Sequence, residues 1–312
     1  MTSPSVTTAT AGRGPSARWG RDLAAGHRGA AVVFLSPAMA VIVLFVVVPI
    51  GLTFWISLHE WSMYTPLTDM AWRGLANYRE LLADRDFFTA LRNTLVYVVL
   101  VVAVTLPLAV ALGMLLYFPK SAAKGVARAV LFSTYVVPTV ATAIVWGALY
   151  APDYGPFAQM FSAVGLSAPA WLSEPGTALV SLVVFHVWQM IGYYTILVVA
   201  GLTQIPPDLY EAARIDGAGF WRQTVSVTLP LLRRTTIFMT LITVINAIQV
   251  FDPVYILTQG GPAESTSVVS FSIQREAFQY GMAGQASAMA FSLLIVLLAI
   301  GGLFLAAMRR RS

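Results

Sequence analysis

The sequence predicts an all-α membrane protein with six transmembrane helices and both termini in the cytoplasm. Three observations support this prediction: the composition, the length of the apolar segments, and the way basic residues alternate between them. Of 312 residues, 58% are hydrophobic and 11% are charged, whereas a soluble domain has about 25% charged residues. The composition therefore indicates an integral membrane protein.

Six apolar segments are long enough to cross a bilayer, because about 20 helical residues span its about 30 Å of hydrocarbon. The first is longer than the apolar core of a signal peptide, about 7 to 15 residues, and no small-residue cleavage motif follows it, so we expect it to be retained. The six predicted spans are Ala31–Leu58, Thr94–Leu116, Ala127–Tyr150, Ala178–Leu202, Leu231–Phe251 and Ala288–Met308.

The segments that join the spans differ in charge from one side to the other. Lys and Arg near span ends favour the cytoplasmic side. Fourteen basic and four acidic residues give the inner segments a net charge of +10, and five basic and ten acidic residues give the outer segments −5. The inner basic residues are Arg13, Arg18, Arg21, Arg28, Lys120, Lys124, Arg128, Arg214, Arg222, Arg233, Arg234, Arg309, Arg310 and Arg311.

This topology divides the chain into four regions. Residues 1–29 are rich in Ser, Thr, Gly and Pro and are expected to form a disordered cytoplasmic tail. The first transmembrane helix occupies 30–58, and 59–92 is an extracytoplasmic loop. The remaining transmembrane core is 93–308, with a cytoplasmic loop at 203–230.

Within the outer loop, apolar residues at Leu81, Leu82 and Phe88 favour a helix lying at the membrane interface. Four prolines, Pro37, Pro49, Pro107 and Pro138, interrupt spans. Each frees a backbone carbonyl that a neighbouring helix or water must satisfy. Kinked helices that line a cavity are expected.

Several classes of chemistry are excluded. The chain has no cysteine, so thiolate catalysis is absent. His27, His59 and His186 are too far apart in sequence for a metal-ligand motif, and no metal site or catalytic residue is predicted. Neither Lys120 nor Lys124 follows the glycine that a phosphate-binding loop requires. No span has a charged residue in its middle third, which disfavours an ion-coupled transporter.

Polar residues form a stripe along the fifth span. They recur every three or four residues, and the fourth span has a shorter set with the same spacing. Periodicity alone leaves two interpretations open: interhelical hydrogen bonds of about 0.6 kcal/mol each, or the wall of a water-filled path. The stripe begins with Thr236 and Thr240, and the candidate path residues are His186, Gln189, Tyr193, Thr243, Asn246, Gln249 and Asp252.

The cytoplasmic loop contains signals for a short helix. Pro206 keeps the preceding chain out of helix, and Asp208 is predicted to cap the helix, with Glu211 completing the capping box. Gly217 is placed for a left-handed C-terminal cap, and Gly219 permits a sharp turn. A helix of about eight residues is marginal alone. Local signals leave open whether it lies on the bilayer or docks on another protein.

The same loop, "EAARIDGAGFWRQTVSVTLP", resembles the EAA loop of ABC importer permeases. That pattern is Glu-Ala-Ala, three residues, Gly, nine residues, Ile, one residue and Leu-Pro, and the one departure is Val227 in place of Ile. The chain is also similar to the carbohydrate-uptake branch of this family, the maltose-type and glycerol-3-phosphate-type permeases. The similarity covers about residues 72 to 307 and includes "FDPVYILTQGGPAESTSVVSFSIQREAFQYGM". The residues expected to dock on an ATPase are Glu211, Ala212, Ala213, Asp216, Gly217, Leu229 and Pro230.

The resemblance implies a permease core in spans two to six and a coupling helix within 208–227. It also implies a second homologous permease, two ATPase subunits that bind ATP and Mg, an extracytoplasmic solute-binding protein, and a place in the lipid of a bacterial plasma membrane. The chain itself is then neither an enzyme nor a nucleic-acid binder. The implied cargo is a sugar, with glycerol-3-phosphate or a polyol as the alternative and a stand-alone facilitator as a weaker one.

Overall fold

The computed structural model describes residues 32–118 and 123–309. The predicted tail and seven of the inner basic residues, Arg13, Arg18, Arg21, Arg28, Lys120, Arg310 and Arg311, lie outside these ranges. The described elements are α1 (Val32–Ser57), β1 (His59–Glu60), β2 (Ala71–Trp72), α2 (Ala76–Leu81), α3 (Arg85–Tyr117), α4 (Lys124–Val136), α5 (Thr139–Leu149), α6 (Pro156–Ala163), α7 (Pro175–Leu202), α8 (Pro207–Ile215), α9 (Phe220–Gln223), α10 (Leu229–Leu231), α11 (Arg233–Ile248), α12 (Asp252–Leu257), α13 (Val269–Gln274) and α14 (Ala283–Arg309).

The chain divides into two units after Leu52. The first, as far as it is described, is most of α1, which has a π-helical turn at Val43–Val47. The second unit contains the other elements, including two further π-helical turns at Thr224–Thr228 and Arg275–Gln279. The one sheet among the described residues is the antiparallel pair β1 and β2, with His59 opposite Trp72.

In the described residues, five helices are long and apolar enough to span a membrane, and a bent pair would make a sixth. The bent pair is α4 and α5, which meet at 98°. The single apolar run predicted over 127–150 is therefore two helices, and the break lies at Pro138, which the sequence predicted to interrupt this span. The residue before a proline disfavours the helical region, and Val137 before Pro138 is extended, with ψ 135°.

The fifth span is also interrupted. Its first helix, α11, ends at Ile248, and α12 begins at Asp252 with Pro253 in its first turn. Phe251 between them has φ −139° and ψ −61°, outside the helical region. The sequence places a single helix through residue 251, because the apolar pattern continues across the break.

Two spans begin five or more residues before their predicted apolar runs. The second, α3, starts nine residues before Thr94 because Asp84 caps it, accepting a hydrogen bond of 2.9 Å from the backbone N–H of Asp86. The last, α14, starts at Ala283, five residues before the predicted Ala288. The first turns of both helices contain polar residues, so a search for uninterrupted apolar runs does not include them.

The predicted interfacial helix in the outer loop is only partly present. Leu81 ends α2 and is buried against Phe87 and Met289, so it faces the protein interior. Leu82 lies beyond the end of α2, and Phe88 belongs to α3, since Asp84 starts a new helix between them.

The core of the second unit is the contact of α7 with α3 and α4. Two buried clusters divide it, one around Tyr97 and Leu182, the other around Tyr194 and Leu202. At the C-terminal end of α3, Lys124 Nζ donates to the Tyr117 carbonyl at 2.6 Å. A cation at a helix C-terminus complements the helix dipole, so this contact ties α4 to α3.

Candidate functional site

The first candidate site is the loop that contains α8, which the sequence predicts to be cytoplasmic. The helix begins at Pro207, and Pro206 is its N-cap without a side-chain bond. The prediction that Asp208 caps the helix is wrong, because Pro207 has no N–H and already takes the first helical position. The Asp208 carboxylate lies in the first turn, where it still complements the helix dipole.

The C-terminal end of α8 is as predicted. Gly217 adopts φ +75°, a conformation that costs other residues about 1–2 kcal/mol. The N–H of Ala218 donates to the Ala213 carbonyl at 2.9 Å, and that of Gly217 donates to the Arg214 carbonyl at 3.0 Å. These two bonds form a Schellman motif, so α8 has a defined stop.

One side chain, Tyr210, holds α8 against the transmembrane helices. It is buried with Leu202 and Leu232, and its ring meets Phe118 edge-on at 5.6 Å. Its hydroxyl lies 3.2 Å from the Thr228 hydroxyl, which closes the loop across 18 residues. Burial raises the pKa of Tyr210, so the phenol stays neutral. Sequence reasoning missed this residue, although it is the only aromatic residue in the helix.

The opposite face of α8 is open. Glu211 and Arg214 form an ion pair of 3.7 Å, with about two-thirds of each side chain exposed, a geometry that contributes little stability. Apolar side chains share this exposure: Ile215 is 86% exposed and Trp221 is 77% exposed. Of the predicted docking residues, Ala213 is half-buried, and the others are exposed, namely Glu211, Ala212, Asp216, Gly217, Leu229 and Pro230.

The second candidate site is a polar cavity of about 340 Å³ in the second unit. Three features converge on it: the break between α4 and α5, the polar face of α7, and the break between α11 and α12. Its walls are formed by Tyr135, Thr139, His186, Gln189, Met190, Asn246, Gln249, Val250, Phe251, Asp252 and Pro253.

Five of the seven path candidates lie on these walls, namely His186, Gln189, Asn246, Gln249 and Asp252. Gln189 Nε2 donates to the Thr139 hydroxyl at 2.9 Å, which joins α7 to α5. Asn246 Nδ2 lies 3.4 Å from the Tyr194 hydroxyl, a long interhelical contact. Sequence reasoning missed Tyr135 and Thr139, although the proline between them marked the break.

The threonines of the stripe behave differently from the amides. Thr236, Thr240 and Thr243 each donate to the carbonyl four residues earlier, at 2.8 to 3.1 Å. Thr243 is fully buried and lies outside the cavity wall. Tyr193 is also outside it, but stacks at 4.8 Å on Tyr135, which is on the wall. The stripe therefore combines self-satisfied hydroxyls with two amides that face open space.

The cavity has little charge. Asp252 is its one carboxylate, and no lysine or arginine is present among the described residues that line it. His186 is 5% exposed, and its Nε2 has no hydrogen-bond partner within the described parts of the chain. Leaving a buried polar atom unpaired is costly.

Broken helices around a polar cavity with a single carboxylate, together with an exposed short helix between two spans, are features of a membrane permease subunit. The chain belongs to the family described as binding-protein-dependent transport system inner membrane component, whose model matches residues 105–311. The inner-membrane location and the place among ABC importer permeases that the EAA loop indicated are thereby confirmed.

Curated relatives include sugar permeases. The chain is 35% identical over 238 residues to the trehalose/maltose transport system permease protein of Thermococcus litoralis, covering 76% of this chain and 80% of that one. It is 32% identical over 318 residues to the diacetylchitobiose uptake system permease protein of Streptomyces coelicolor, covering 97% and 90%. These relatives agree with the carbohydrate-uptake branch predicted from the sequence.

A solved structure shares the fold. The chain aligns with a TM-score of 0.79 and 21% identity to a chain of a bacterial alginate ABC transporter, solved in complex with an alginate pentasaccharide-bound periplasmic protein. The alignment covers 91% of this chain and 96% of that one.

Proposed function

We propose that this chain is one permease subunit of an ATP-driven importer that moves a neutral sugar into the cytoplasm. The observation that carries the proposal is the polar cavity, in which residues beside two helix breaks meet the amides of Gln189, Asn246 and Gln249 in a nearly uncharged wall. The permease family and the sugar-transporting relatives support it.

The two helix breaks are informative because irregular backbone is tolerated at membrane depth only where it lines a cavity or is buried in protein. Transporters commonly place substrate sites at discontinuous helices. Here Val137 and Phe251 break two different spans, and residues beside both breaks reach the same cavity.

Charge favours a neutral cargo over glycerol-3-phosphate. Phosphate recognition uses arginine or lysine, and the described cavity wall has neither, while Asp252 would repel an anion. Gln189, Asn246 and Gln249 offer donors and acceptors that match hydroxyl groups. A sugar therefore suits the cavity better, and a polyol is the remaining alternative.

The energy for transport enters through α8 in this proposal. The exposed face of α8 docks on a cytoplasmic ATPase, and Tyr210 transmits its displacement to the transmembrane core. A second homologous permease, two ATPase subunits that bind ATP and Mg, and an extracytoplasmic solute-binding protein complete the importer. ATP shifts the permease pair between inward-facing and outward-facing states only through its differential affinity for them.

Substrate uptake by a deletion strain that expresses the complete importer tests the cargo. A panel of labelled sugars, polyols and glycerol-3-phosphate is supplied to wild type and to Gln249→Ala. We expect wild-type uptake of a sugar and an altered uptake profile in the variant. Thr240→Val, which changes a self-bonded hydroxyl in the same span, is the matched control. Uptake of glycerol-3-phosphate alone contradicts the neutral-cargo proposal.

Docking is tested by Glu211→Lys, which reverses a charge on the open face of α8. We expect the variant to insert normally but to lose both uptake and co-purification with the ATPase. Arg214→Ala removes the same intrachain ion pair without reversing the charge of Glu211, so it controls for that pair. Wild-type uptake by Glu211→Lys would instead favour a facilitator with α8 resting on the bilayer.

A further inference from the structure

An apolar groove of about 300 Å³ runs between α3 and α14 on the second unit. It lies apart from both sites described above. Leu95 and Val296, on either side of it, are about half exposed. Its lining includes Leu81 from α2, Leu95 from α3, and Met289, Val296 and Ile300 from α14.

The length of the groove matches one leaflet of a bilayer. On α14 it extends from Met289 to Ile300, which is about 16 Å at about 1.5 Å per residue. Half of the hydrocarbon core is about 15 Å. The groove therefore has the length and the apolar lining of a site for one acyl chain.

The outer end of the groove adjoins a polar cavity of about 210 Å³, and both are lined by Leu81 and Met289. The polar cavity is also lined by Asn77, Glu80, Asp84 and Gln285, and none of its described lining residues is basic.

Its two carboxylates are only partly compensated. Glu80 accepts two hydrogen bonds from Arg73, at 2.9 and 3.3 Å, and one from Gln285 at 3.1 Å. Arg73 is shared with Glu60 at 3.5 Å. Asp84 accepts only a backbone N–H, that of Asp86, in the bonds described. The polar cavity is therefore net negative at the position where an outer-leaflet headgroup would lie.

We propose that the groove and the polar cavity together bind one outer-leaflet phospholipid with an ammonium headgroup, of the phosphatidylethanolamine type. One acyl chain fills the groove and packs against its apolar side chains. The ammonium group donates to Glu80 and Asp84, and hydrogen bonds between ionised groups are the strong ones. The phosphate stays at the water-facing rim.

The test uses the full-length chain, with its accompanying subunits, in nanodiscs. Phosphatidylethanolamine and phosphatidylglycerol with the same photo-reactive acyl chain are compared as probes. We expect phosphatidylethanolamine to crosslink to peptides of α3 and α14, roughly tenfold more than phosphatidylglycerol, since bonds to charged groups have effects of that order. Equal labelling by the two probes would overturn headgroup recognition.

Two pairs of variants separate the groove from the headgroup cavity. Val296→Trp fills the groove and should abolish labelling of α14, whereas Leu298→Trp, exposed on the same helix but outside the groove, should not. Asp84→Asn keeps a good N-cap and should remove the preference for ethanolamine, whereas Asp86→Asn should keep it. Labelling of α14 that Val296→Trp leaves unchanged would overturn the proposal. The experiment measures lipid contact and not uptake. A negative result would therefore contradict the lipid proposal without contradicting the proposed transport function.

Discussion

Gly192 of α7 faces the backbone of α4 so closely that a Cβ on it would lie 1.8 Å from the Leu131 carbonyl oxygen. No side chain is available to move aside, because the contact is with backbone. This approach fixes the position of α4, whose end carries Tyr135 to the cavity.

Gly192→Ala is therefore expected to separate α4 from α7. The cost should reach the upper end of the about 1–3 kcal/mol typical of overpacking, measured as a lower thermal midpoint of the detergent-purified protein. Gly176→Ala in the same helix meets nothing within 4 Å and is the control. Equal midpoints for the two variants would show that the helices do not approach this closely.

Gly217→Val is expected to abolish transport and to weaken ATPase association while membrane insertion is kept. Valine is strained at φ +75°, and a bulky side chain would project from the end of α8 into the docking surface. Gly165 has the same φ of +75° and equally open surroundings in the chain, but it follows α6 rather than α8. Gly165→Val thus imposes the same strain without touching the docking loop, and similar uptake defects in both variants would contradict a docking role.

The two roles of Tyr210 can be separated by substitution. Tyr210→Phe keeps the ring and loses only the bond to Thr228, worth about 1 kcal/mol, so uptake should stay near normal. Tyr210→Ala removes the ring from its buried cluster, at about 3–5 kcal/mol for an aromatic residue. ATP hydrolysis by the assembled importer should then continue while uptake falls. If hydrolysis and uptake fall in parallel, Tyr210 does not serve as the link between them.

Glu276 provides a pH-dependent prediction. Burial raises its pKa, Asp84 and Asp86 raise it further, and Arg275 opposes the shift. The folded chain thus holds this proton more tightly than the unfolded chain. The resulting stabilisation is present below the usual glutamate range and is lost as pH rises through the raised pKa.

Glu276→Gln should accordingly raise the thermal midpoint at neutral pH and flatten its decline between acidic and neutral pH. Glu174→Gln, at an exposed glutamate in another outer loop, should leave both unchanged. A midpoint lowered at neutral pH by Glu276→Gln would show that the ionised carboxylate stabilises the fold.

The sequence was sufficient for the class of fold because the bilayer imposes a length and a polarity on each span. The short helix α8 was also predictable. Gly217 is a typical left-handed C-terminal cap, and the EAA pattern specifies several residues at fixed positions over 20 residues. The roles of the docking residues and of the path residues stay predictions until they are tested.

Only the tertiary structure decided where the helices break and which polar residues meet. Thr243 and Gln249 share a period, but Thr243 satisfies its own hydroxyl on Met239 while Gln249 lies on the cavity wall. Tyr135 and Thr139 reach that wall only because the chain turns by 98° between their helices. Periodicity along one helix records which face a residue occupies. What that face meets depends on helices distant in sequence, and local patterns do not encode such contacts.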